Sequence, residues 1–235
     1  MKILVLTHTE EGDPGRFLPM LAADGHEWEE IRPDLGQPLP AFDGFDALWV
    51  MGGPMNTWEE DAHPWLIAEK ALIREAVATR GAPYFGICLG HQLLAAALGG
   101  EVGLATAREI GLFELERAGE GGLLDGLPAR FPCLQWHSAE VKRPPEGARI
   151  LAASPLCAAQ AMSCGERAHS LQFHAELEEA RFLRWSETPG LETEIREAFG
   201  DDPQAMIRRE CRAREPELAA VAARIYANWM RCAAA

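Results

Sequence analysis

Short runs of consecutive apolar residues, each followed by glycine or by a helical pattern, constrain this sequence most. The clearest runs are Ile3 to Thr7, Ala47 to Met51 and Pro83 to Ile87. An uninterrupted run is typical of a strand buried on both faces, because a strand with one wet face alternates with polar residues. Residues 64–80, between the second and third runs, and residues 89–98, after the third run, have helical spacing. The order predicts an α/β fold with a mostly parallel central sheet and helices on both faces.

The middle and the end of the chain follow other patterns. Short alternating segments broken by Gly and Pro predict extended strands at about residues 109–116, 131–136, 148–153, 157–163 and 168–173. We expect them to form a small antiparallel edge and then to return to the main sheet. Beyond residue 176 the pattern is helical, and the last helix carries an apolar face that suits docking on the domain or, alternatively, a partner. We therefore expect a domain over residues 1–180 and a C-terminal helical extension over residues 181–235, packed on the same domain.

Net charge and cysteine content indicate which kinds of partner and which cell compartment to expect. The chain has 235 residues and a formal net charge of −14. Such a surface repels phosphate backbones and anionic lipids, so we expect no nucleic-acid partner and no membrane partner. The first residues read as a strand rather than a signal peptide, and the six cysteines are scattered without a Cys-x-x-Cys motif. These features predict a cytoplasmic protein with free thiols and without a zinc ribbon.

The segment Gly86-Ile87-Cys88-Leu89-Gly90 joins a predicted buried strand directly to a predicted helix. Glycines on both sides of a central residue allow the sharp turn of a nucleophile elbow. A thiol at the start of a helix is favoured as the reactive thiolate by the helix dipole and the free N–H groups. The pattern therefore predicts that Cys88 is a nucleophile, although a small buried cysteine at a strand end would share part of it.

Two further segments supply the partners that a nucleophilic thiol needs. His174 follows the strand Leu171 to Phe173, and Glu176 comes two residues later. A base that takes the thiol proton and a carboxylate that orients this base fit these positions, although a His-x-Glu pair alone is a weak pattern. Gly52-Gly53-Pro54 follows the third strand, and the N–H groups of Gly53 and Leu89 could together bind an oxyanion. By itself, a Gly-Gly-Pro sequence equally suits an ordinary turn.

Three blocks in this order resemble class I glutamine amidotransferases, also called Cys-His-Glu triad amidotransferases, and in particular stand-alone members similar to the glutaminase domain of GMP synthase. The blocks are Gly-Gly-Pro-Met-Asn at residues 52–56, Gly-Ile-Cys-Leu-Gly-His-Gln at 86–92 and Leu-Gln-Phe-His-Ala-Glu at 171–176. The resemblance covers roughly residues 1–180. It implies the flavodoxin-like fold of that family and cleavage of the side-chain amide of glutamine, or of another γ-glutamyl compound, through a thioester.

The resemblance also implies roles for single residues. Cys88 attacks the amide, His174 moves the proton and Glu176 orients His174, while Gly53 and Leu89 form the oxyanion hole. Gln92 is similar to the family glutamine that contacts the glutamyl group. In the family, one segment lines the glutamyl pocket through its backbone, and it resembles Gln135, Trp136, His137 and Ser138 here. Residues 109–111 resemble a family strand near the same pocket. No metal and no cofactor are implied. Trp136 and His137 equally suit a packed pair without ligand contact.

Two positions depart from the family pattern. Ala175 stands where proline is usual, which alters the local turn, and Ser138-Ala139 stands where Gly-Asp is common, which changes the edge of the pocket. The remaining histidines are expected to be structural or solvated: His8, His26, His63 and His169.

The sequence leaves the functional class open between several alternatives. It has no Gly-x-x-x-x-Gly-Lys phosphate loop, so a glutaminase would send ammonia to a separate synthase subunit. Alternatively, the chain acts alone on γ-glutamyl peptides or amides. A non-catalytic binding module of the same fold would have lost the triad, and a peptidase or stress-protein relative would lack the late His-x-Glu block.

Overall fold

A single nine-stranded sheet organises the computed structural model, which describes residues 1–119 and 121–235. The strands are β1 (Lys2–Leu6), β2 (Glu27–Ile31), β3 (Ala47–Val50), β4 (Tyr84–Ile87), β5 (Glu101–Arg117), β6 (Arg130–Arg143), β7 (Arg149–Ala153), β8 (Ala161–Cys164) and β9 (Ala168–Leu171). The helices are α1 (Phe17–Ala23), α2 (Trp65–Arg74), α3 (Leu89–Ala97), α4 (Glu179–Trp185), α5 (Glu192–Phe199) and α6 (Pro203–Ala234). A π-helical turn, Glu75–Thr79, follows α2, and short 3-10 helices cover Pro33–Leu35 and Gly122–Leu124.

Half of the sheet is parallel, and it contains all of the predicted buried strands. Its strand order is β2-β1-β3-β4-β9, with every neighbouring pair parallel. Successive residues of β1 point to opposite faces, and both sets are buried. Helices therefore cover both faces of this half, as the continuous apolar runs predict.

The other half of the sheet is antiparallel, which corrects the expectation of a mostly parallel sheet with a small antiparallel edge. In the order β9-β8-β7-β5-β6 every neighbouring pair is antiparallel, so the two kinds of pairing are equally numerous. The difference comes mainly from β5 and β6, which have 17 and 14 residues and pair with each other along most of their length. The first half of β5 is largely exposed and is interrupted by a register shift between Leu104 and Glu109. It carries no apolar periodicity from which a strand could be predicted.

Helix α6 belongs to the hydrophobic core of the parallel half. Trp229 is fully buried, packs edge-on against Trp49 with ring centroids 5.1 Å apart, and donates its indole N–H to the Tyr84 carbonyl over 3.0 Å. A two-pronged ion pair from Arg16 to Glu215, at 2.6 and 2.7 Å, ties the start of α1 to the same helix. Burial of large aromatic area is the main source of stability in such a core. Within the described residues, no helix combines the length and the apolar character needed to cross a bilayer.

We expect Trp229→Ala to lower the free energy of unfolding by about 3–5 kcal/mol, since it leaves a large cavity beside the sheet and removes the indole hydrogen bond to the Tyr84 carbonyl. Chemical denaturation followed by circular dichroism measures this change. Trp58→Ala is the matched control, because Trp58 is 44% exposed and its loss leaves no buried cavity. An equal effect of the two substitutions would show that α6 contributes little to the fold.

Candidate active site

The carboxyl ends of four parallel strands gather the functional segments at one edge of the sheet. His8 follows β1, the Gly52-Gly53 pair follows β3, Cys88 follows β4, and His174 follows β9. The three segments after β3, β4 and β9 are those singled out in the sequence. Such an edge is where open α/β sheets bind ligands, because the loops there converge while the strands stay rigid.

Cys88 stands in a strained turn between β4 and α3. Its φ is +52° and its ψ is −102°, and among the described residues it is the one non-glycine residue with a positive φ. Its amide donates to the Leu171 carbonyl of β9 over 2.8 Å, which fixes the turn to the sheet. The Cys88 side chain thus stands at the first turn of α3, with the free N–H groups of that helix nearby.

The glycines beside Cys88 are required by the close approach of α3 to the sheet. A Cβ atom on Gly90 would lie 2.0 Å from the Val50 carbonyl oxygen, and one on Gly86 would lie 2.7 Å from the Gly90 backbone. Both distances are far below van der Waals contact, so any side chain at either position would push α3 away from β3. The glycine pattern of the motif is therefore a packing requirement as well as a turn requirement.

His174 and Glu176 form a buried pair beside the thiol. The Nδ1 atom of His174 lies 2.6 Å from Oε1 of Glu176. The other ring nitrogen, Nε2, has no hydrogen-bond partner in the described structure. Gly52 lies against both side chains: a Cβ atom there would lie 3.2 Å from Cε1 of His174 and 3.6 Å from Cβ of Cys88. The carboxylate therefore fixes the histidine tautomer and leaves Nε2 free for proton transfer.

The charges around His174 favour its protonated form. Burial alone lowers the pKa of His174, but attraction to Glu176 and to the Cys88 sulfur outweighs burial and raises the pKa to about 10. A histidine that holds its proton at neutral pH stabilises a thiolate next to it. The indole of Trp185 packs edge-on against the His174 ring, with centroids 4.9 Å apart, and restricts its movement.

Hydrogen bonds from Arg16 hold the loop that carries Glu176 in place. The Arg16 amide donates to the Glu176 carbonyl over 3.0 Å, and the Arg16 guanidinium donates to the Leu177 carbonyl over 2.6 Å. This contact is close because Gly15 has no side chain: a Cβ atom there would lie 2.2 Å from the Glu176 oxygen. The loop after β9 is thus pinned to the start of α1.

Two backbone amides lie near the thiol without an acceptor. In the described part of the chain neither the Gly53 N–H nor the Leu89 N–H donates to a protein group. Gly53 lines the cavity in front of Cys88, whereas the Leu89 side chain is buried. A pair of unengaged N–H groups beside a nucleophile is the arrangement that binds an oxyanion.

A cavity of about 480 Å³ opens in front of the thiol, a size typical of small-molecule sites. Cys88, Gln92 and His174 line its floor. Its walls come from three places along the chain: the loops after β1 and β3 (residues 9–11 and 52–56), strands β5 and β6 (residues 108, 110 and 136–139) and the region of α4 and α5 (residues 184, 185, 188, 191 and 194). Ion pairs from Arg108 to Glu194 and from Arg184 to Glu11 add charge to the walls.

The residues predicted to bind substrate differ in whether they line the cavity. Gln92 lines the cavity and donates to the Ala139 carbonyl over 3.0 Å. The carbonyl oxygen of Trp136 lies 3.8 Å from the Cys88 sulfur, and its ring packs against Phe182 and Trp185. Gln135 is fully buried and is absent from the described cavity lining. The contacts of these residues with substrate stay predictions.

His137 joins a buried polar network beside the cavity. Its Nε2 atom lies 3.0 Å from a Glu109 oxygen and its Nδ1 atom 3.1 Å from the Ala139 carbonyl. Glu109 also accepts from Ser154 over 2.8 Å and from Gln160 over 2.6 Å. With Cys157, the Glu109 and His137 side chains would suit a metal by residue type, with possible ligand atoms within 4.8 Å of one another.

A metal fits this network poorly on chemical grounds. Burial raises the pKa of Cys157 to about 12, whereas a metal ligand must be the thiolate. The Glu109 oxygens and both His137 nitrogens already have hydrogen-bond partners. We therefore interpret the network as a support that holds β6 beside the cavity.

Sequence reasoning missed the contributions of α4, α5 and α2. Trp185, Arg184 and Glu194 lie beyond the last motif, where the sequence shows only helical periodicity. Glu69 of α2 is fully buried against His8, and nothing in the spacing of the two residues links them.

Comparison with known proteins agrees with this geometry. The family model described as glutamine amidotransferase class-I matches residues 27–182 of the chain. The GMP synthase [glutamine-hydrolyzing] of Aeropyrum pernix is 39% identical over 150 residues, which cover 64% of this chain and 27% of that protein. One of the subunits of the glutamine-hydrolysing GMP synthase of Sulfolobus acidocaldarius is 35% identical over 154 residues, covering 65% of this chain and 78% of that protein. The chain thus spans only about a quarter of the length of the first of these relatives.

Solved structures with the same fold cover the whole chain. A glutamine amidotransferase from Thermotoga maritima superposes with a TM-score of 0.86 at 26% identity, covering 100% of this chain and 99% of that one. A glutamine amidotransferase from Methylobacillus flagellatus gives a TM-score of 0.83 at 30% identity, covering 98% and 94%. The likeness therefore includes α4 to α6, which lie largely outside the residues matched by the family model. With the family model matching well over half of its residues, this chain belongs to the class I glutamine amidotransferase family.

Proposed function

We propose that this protein hydrolyses the γ-glutamyl amide bond of glutamine or of a larger γ-glutamyl compound, through a thioester on Cys88. The observation that carries the proposal is the grouping of Cys88, His174 and Glu176: Cys88 and His174 line an open cavity, Glu176 contacts His174 from behind, and two backbone amides near the thiol are unengaged. Membership of the family supports it independently.

The proposed reaction has two halves, and His174 serves in both. The Cys88 thiolate attacks the amide carbon, and the carbonyl oxygen becomes an oxyanion that accepts from the Gly53 and Leu89 amides. The His174 imidazolium gives its proton to the amide nitrogen, so that the C–N bond breaks and ammonia or an amine leaves. His174 then takes a proton from water, which attacks the thioester. The C–S bond breaks, glutamate is released, and the Cys88 thiolate and the His174 imidazolium are restored.

The walls of the cavity favour action without a synthase partner. Residues of α4, α5 and their connection form one wall, so the extension after residue 180 completes the site from within the same chain. We accordingly propose that residues 1–180 carry the triad and that residues 181–235 form an extension that shapes the substrate cavity. The alternative model is the glutaminase component of a two-part GMP synthase, in which a separate synthase subunit receives the ammonia.

We expect Cys88 to be the only thiol that reacts rapidly with a glutamine-like diazo-ketone. Burial raises the pKa of the other thiols, which are Cys133, Cys157, Cys164, Cys211 and Cys232. These groups stay protonated near neutral pH and react slowly. Peptide mass mapping after brief labelling locates the modified residue, and Cys88→Ser serves as the unlabelled control. A label on Cys157 or Cys211 would contradict the assignment.

The proton on His174 should set the alkaline limit of activity. Because the pKa of His174 is raised to about 10, kcat/KM should stay high up to that pH and fall above it as the proton donor is lost. In Glu176→Gln the carboxylate that raises this pKa is gone and burial still lowers it. The alkaline limb should therefore move to lower pH by roughly one to three pH units.

His174→Ala is the companion variant and should lower kcat/KM by roughly 10²–10⁴-fold, more than Glu176→Gln, since the base itself is lost. Circular dichroism spectra checked against the parent protein exclude unfolding as the cause. An unshifted alkaline limb in Glu176→Gln would remove Glu176 from its proposed role.

We expect the isolated chain to hydrolyse a γ-glutamyl amide or peptide measurably. An extended substrate should be better than free glutamine, because the cavity of about 480 Å³ continues past the thiol between charged walls. Steady-state release of glutamate from glutamine and from a panel of γ-glutamyl peptides tests this, with Cys88→Ala as the blank. Turnover that rises above the blank only after addition of a partner protein would favour the synthase-coupled alternative.

A further inference from the structure

His8 is a buried histidine that the triad chemistry does not use, yet it lies against the loop that carries the proposed oxyanion hole. It follows β1, and its side chain is fully buried. Its Nδ1 atom lies 3.1 Å from the Gly52 carbonyl oxygen, and its Nε2 atom lies 3.0 Å from a Glu69 oxygen. Its Cβ atom is so close to Gly53 that a Cβ atom there would lie 2.8 Å away.

Helix α2 fixes the ring of His8 in this orientation. Trp65 stacks on the ring with centroids 5.3 Å apart and an interplanar angle of 15°, and Glu69 holds Nε2. Trp65 and Glu69 are four residues apart, so they share one face of the helix. Because a carbonyl oxygen can only accept, Nδ1 of His8 must carry the proton that it shares with Gly52. Burial lowers the pKa of His8, but attraction to Glu69 and hydrogen bonding outweigh burial and raise it, which favours the form with a proton on each nitrogen.

The geometry of the peptide bond transmits this contact to the reactive cysteine. The Gly52 carbonyl and the Gly53 N–H belong to one planar peptide group, which is trans, as are the other peptide bonds of the described chain. In a trans peptide the two groups point in opposite directions. A donor that holds the carbonyl on the His8 side therefore turns the Gly53 N–H to the other side, where it has no protein acceptor.

The two glycines make such an external hold necessary. Glycine lacks the Cβ atom that restricts backbone rotation, so a Gly-Gly peptide can turn over at little cost. A stiffer residue fits poorly at either glycine, because a Cβ atom on Gly52 would crowd His174 at 3.2 Å and one on Gly53 would clash with His8 at 2.8 Å. The orientation of this peptide must then come from a hydrogen bond made by another part of the chain.

We propose that His8, clamped by Glu69 and Trp65, is a positioning residue that locks the Gly52-Gly53 peptide with its N–H directed at the oxyanion. This inference rests on the proposed function for its catalytic meaning. The hydrogen bond donated to the carbonyl also polarises the peptide, which makes the Gly53 N–H a stronger donor. His8 itself touches neither substrate nor thiol in this scheme.

Two substitutions separate this role from simple packing. In His8→Asn the amide nitrogen occupies roughly the place of Nδ1 and keeps a donor for Gly52, whereas in His8→Gln it occupies the place of Nε2 and keeps the contact with Glu69. Loss of one oxyanion donor lowers kcat by roughly 10²–10³-fold, and a misdirected donor should cost part of that. We expect kcat to fall by roughly 10- to 100-fold in His8→Gln and markedly less in His8→Asn, with KM little changed in both.

Alkylation by iodoacetamide provides the matched control, because it consumes the thiolate without forming an oxyanion. The alkylation rate of Cys88 should stay near that of the parent protein in both variants. If hydrolysis and alkylation fall together, or if His8→Gln is the more active variant, His8 acts through packing and the proposal is wrong. Should His8→Asn fail to fold because Glu69 loses its partner, Glu69→Gln added to it removes the unpaired buried charge.

Crystal structures of the two variants test, independently of activity, whether His8 fixes the orientation of the Gly52-Gly53 peptide. The Gly53 N–H should turn away from Cys88 in His8→Gln and keep its direction in His8→Asn. If the Gly52-Gly53 peptide keeps its parent orientation in His8→Gln, the inference is wrong, whatever the activity of that variant. A parent protein without activity on any γ-glutamyl compound would instead refute the proposed function, and the structures would still decide what His8 does.

Discussion

The site depends on the contact between helix α3 and strand β3. The Gly90 backbone comes so close to the Val50 carbonyl that a single methyl group would occupy the same space as the oxygen. This approach leaves no room for a loop between β4 and α3, so the chain passes from strand to helix at one residue. The thiol at that residue is consequently placed by backbone packing, which is far stiffer than a side-chain rotamer or a surface loop. The Leu89 amide, one residue further along, belongs to the same turn and is placed by the same contact.

Three buried histidine–carboxylate pairs surround this point: His174 with Glu176, His8 with Glu69, and His137 with Glu109. The pairs of His8 with Glu69 and of His137 with Glu109 join segments that are far apart in the chain, whereas His174 and Glu176 belong to one loop. In our proposals the first directs a proton and the second holds a peptide group, while the third supports strand β6. Burying an ion pair is costly unless its hydrogen bonds are complete, and most polar atoms of these pairs have partners. The exceptions, Nε2 of His174 and one oxygen of Glu176, belong to the proposed triad.

How far the sequence alone predicts this arrangement depends on how local each contact is. The elbow and the His-x-Glu pair are encoded within a few residues, so motif and strand order suffice to place Cys88, His174 and Glu176 at one edge. Gln135 and His137 lie two residues apart on one face of β6, and their side chains meet Gln160 and Glu109 there. Partners such as Trp185 and Glu69 approach from distant helices, where amphipathic spacing identifies a buried face but not the residue it meets. The exposed start of β5 has no apolar pattern, which is why sequence reasoning underestimates the extent of the antiparallel half.

The left-handed backbone of Cys88 ties chemistry to the stability of the whole domain. A non-glycine residue held at such a φ costs on the order of 1–3 kcal/mol, which the surrounding packing must offset. Glycine would relieve this strain and is the residue that the fold alone would select at position 88. The strain is therefore a stability cost that the domain carries for its proposed nucleophile. A lineage that no longer needed the proposed reaction would gain stability by replacing the cysteine with glycine.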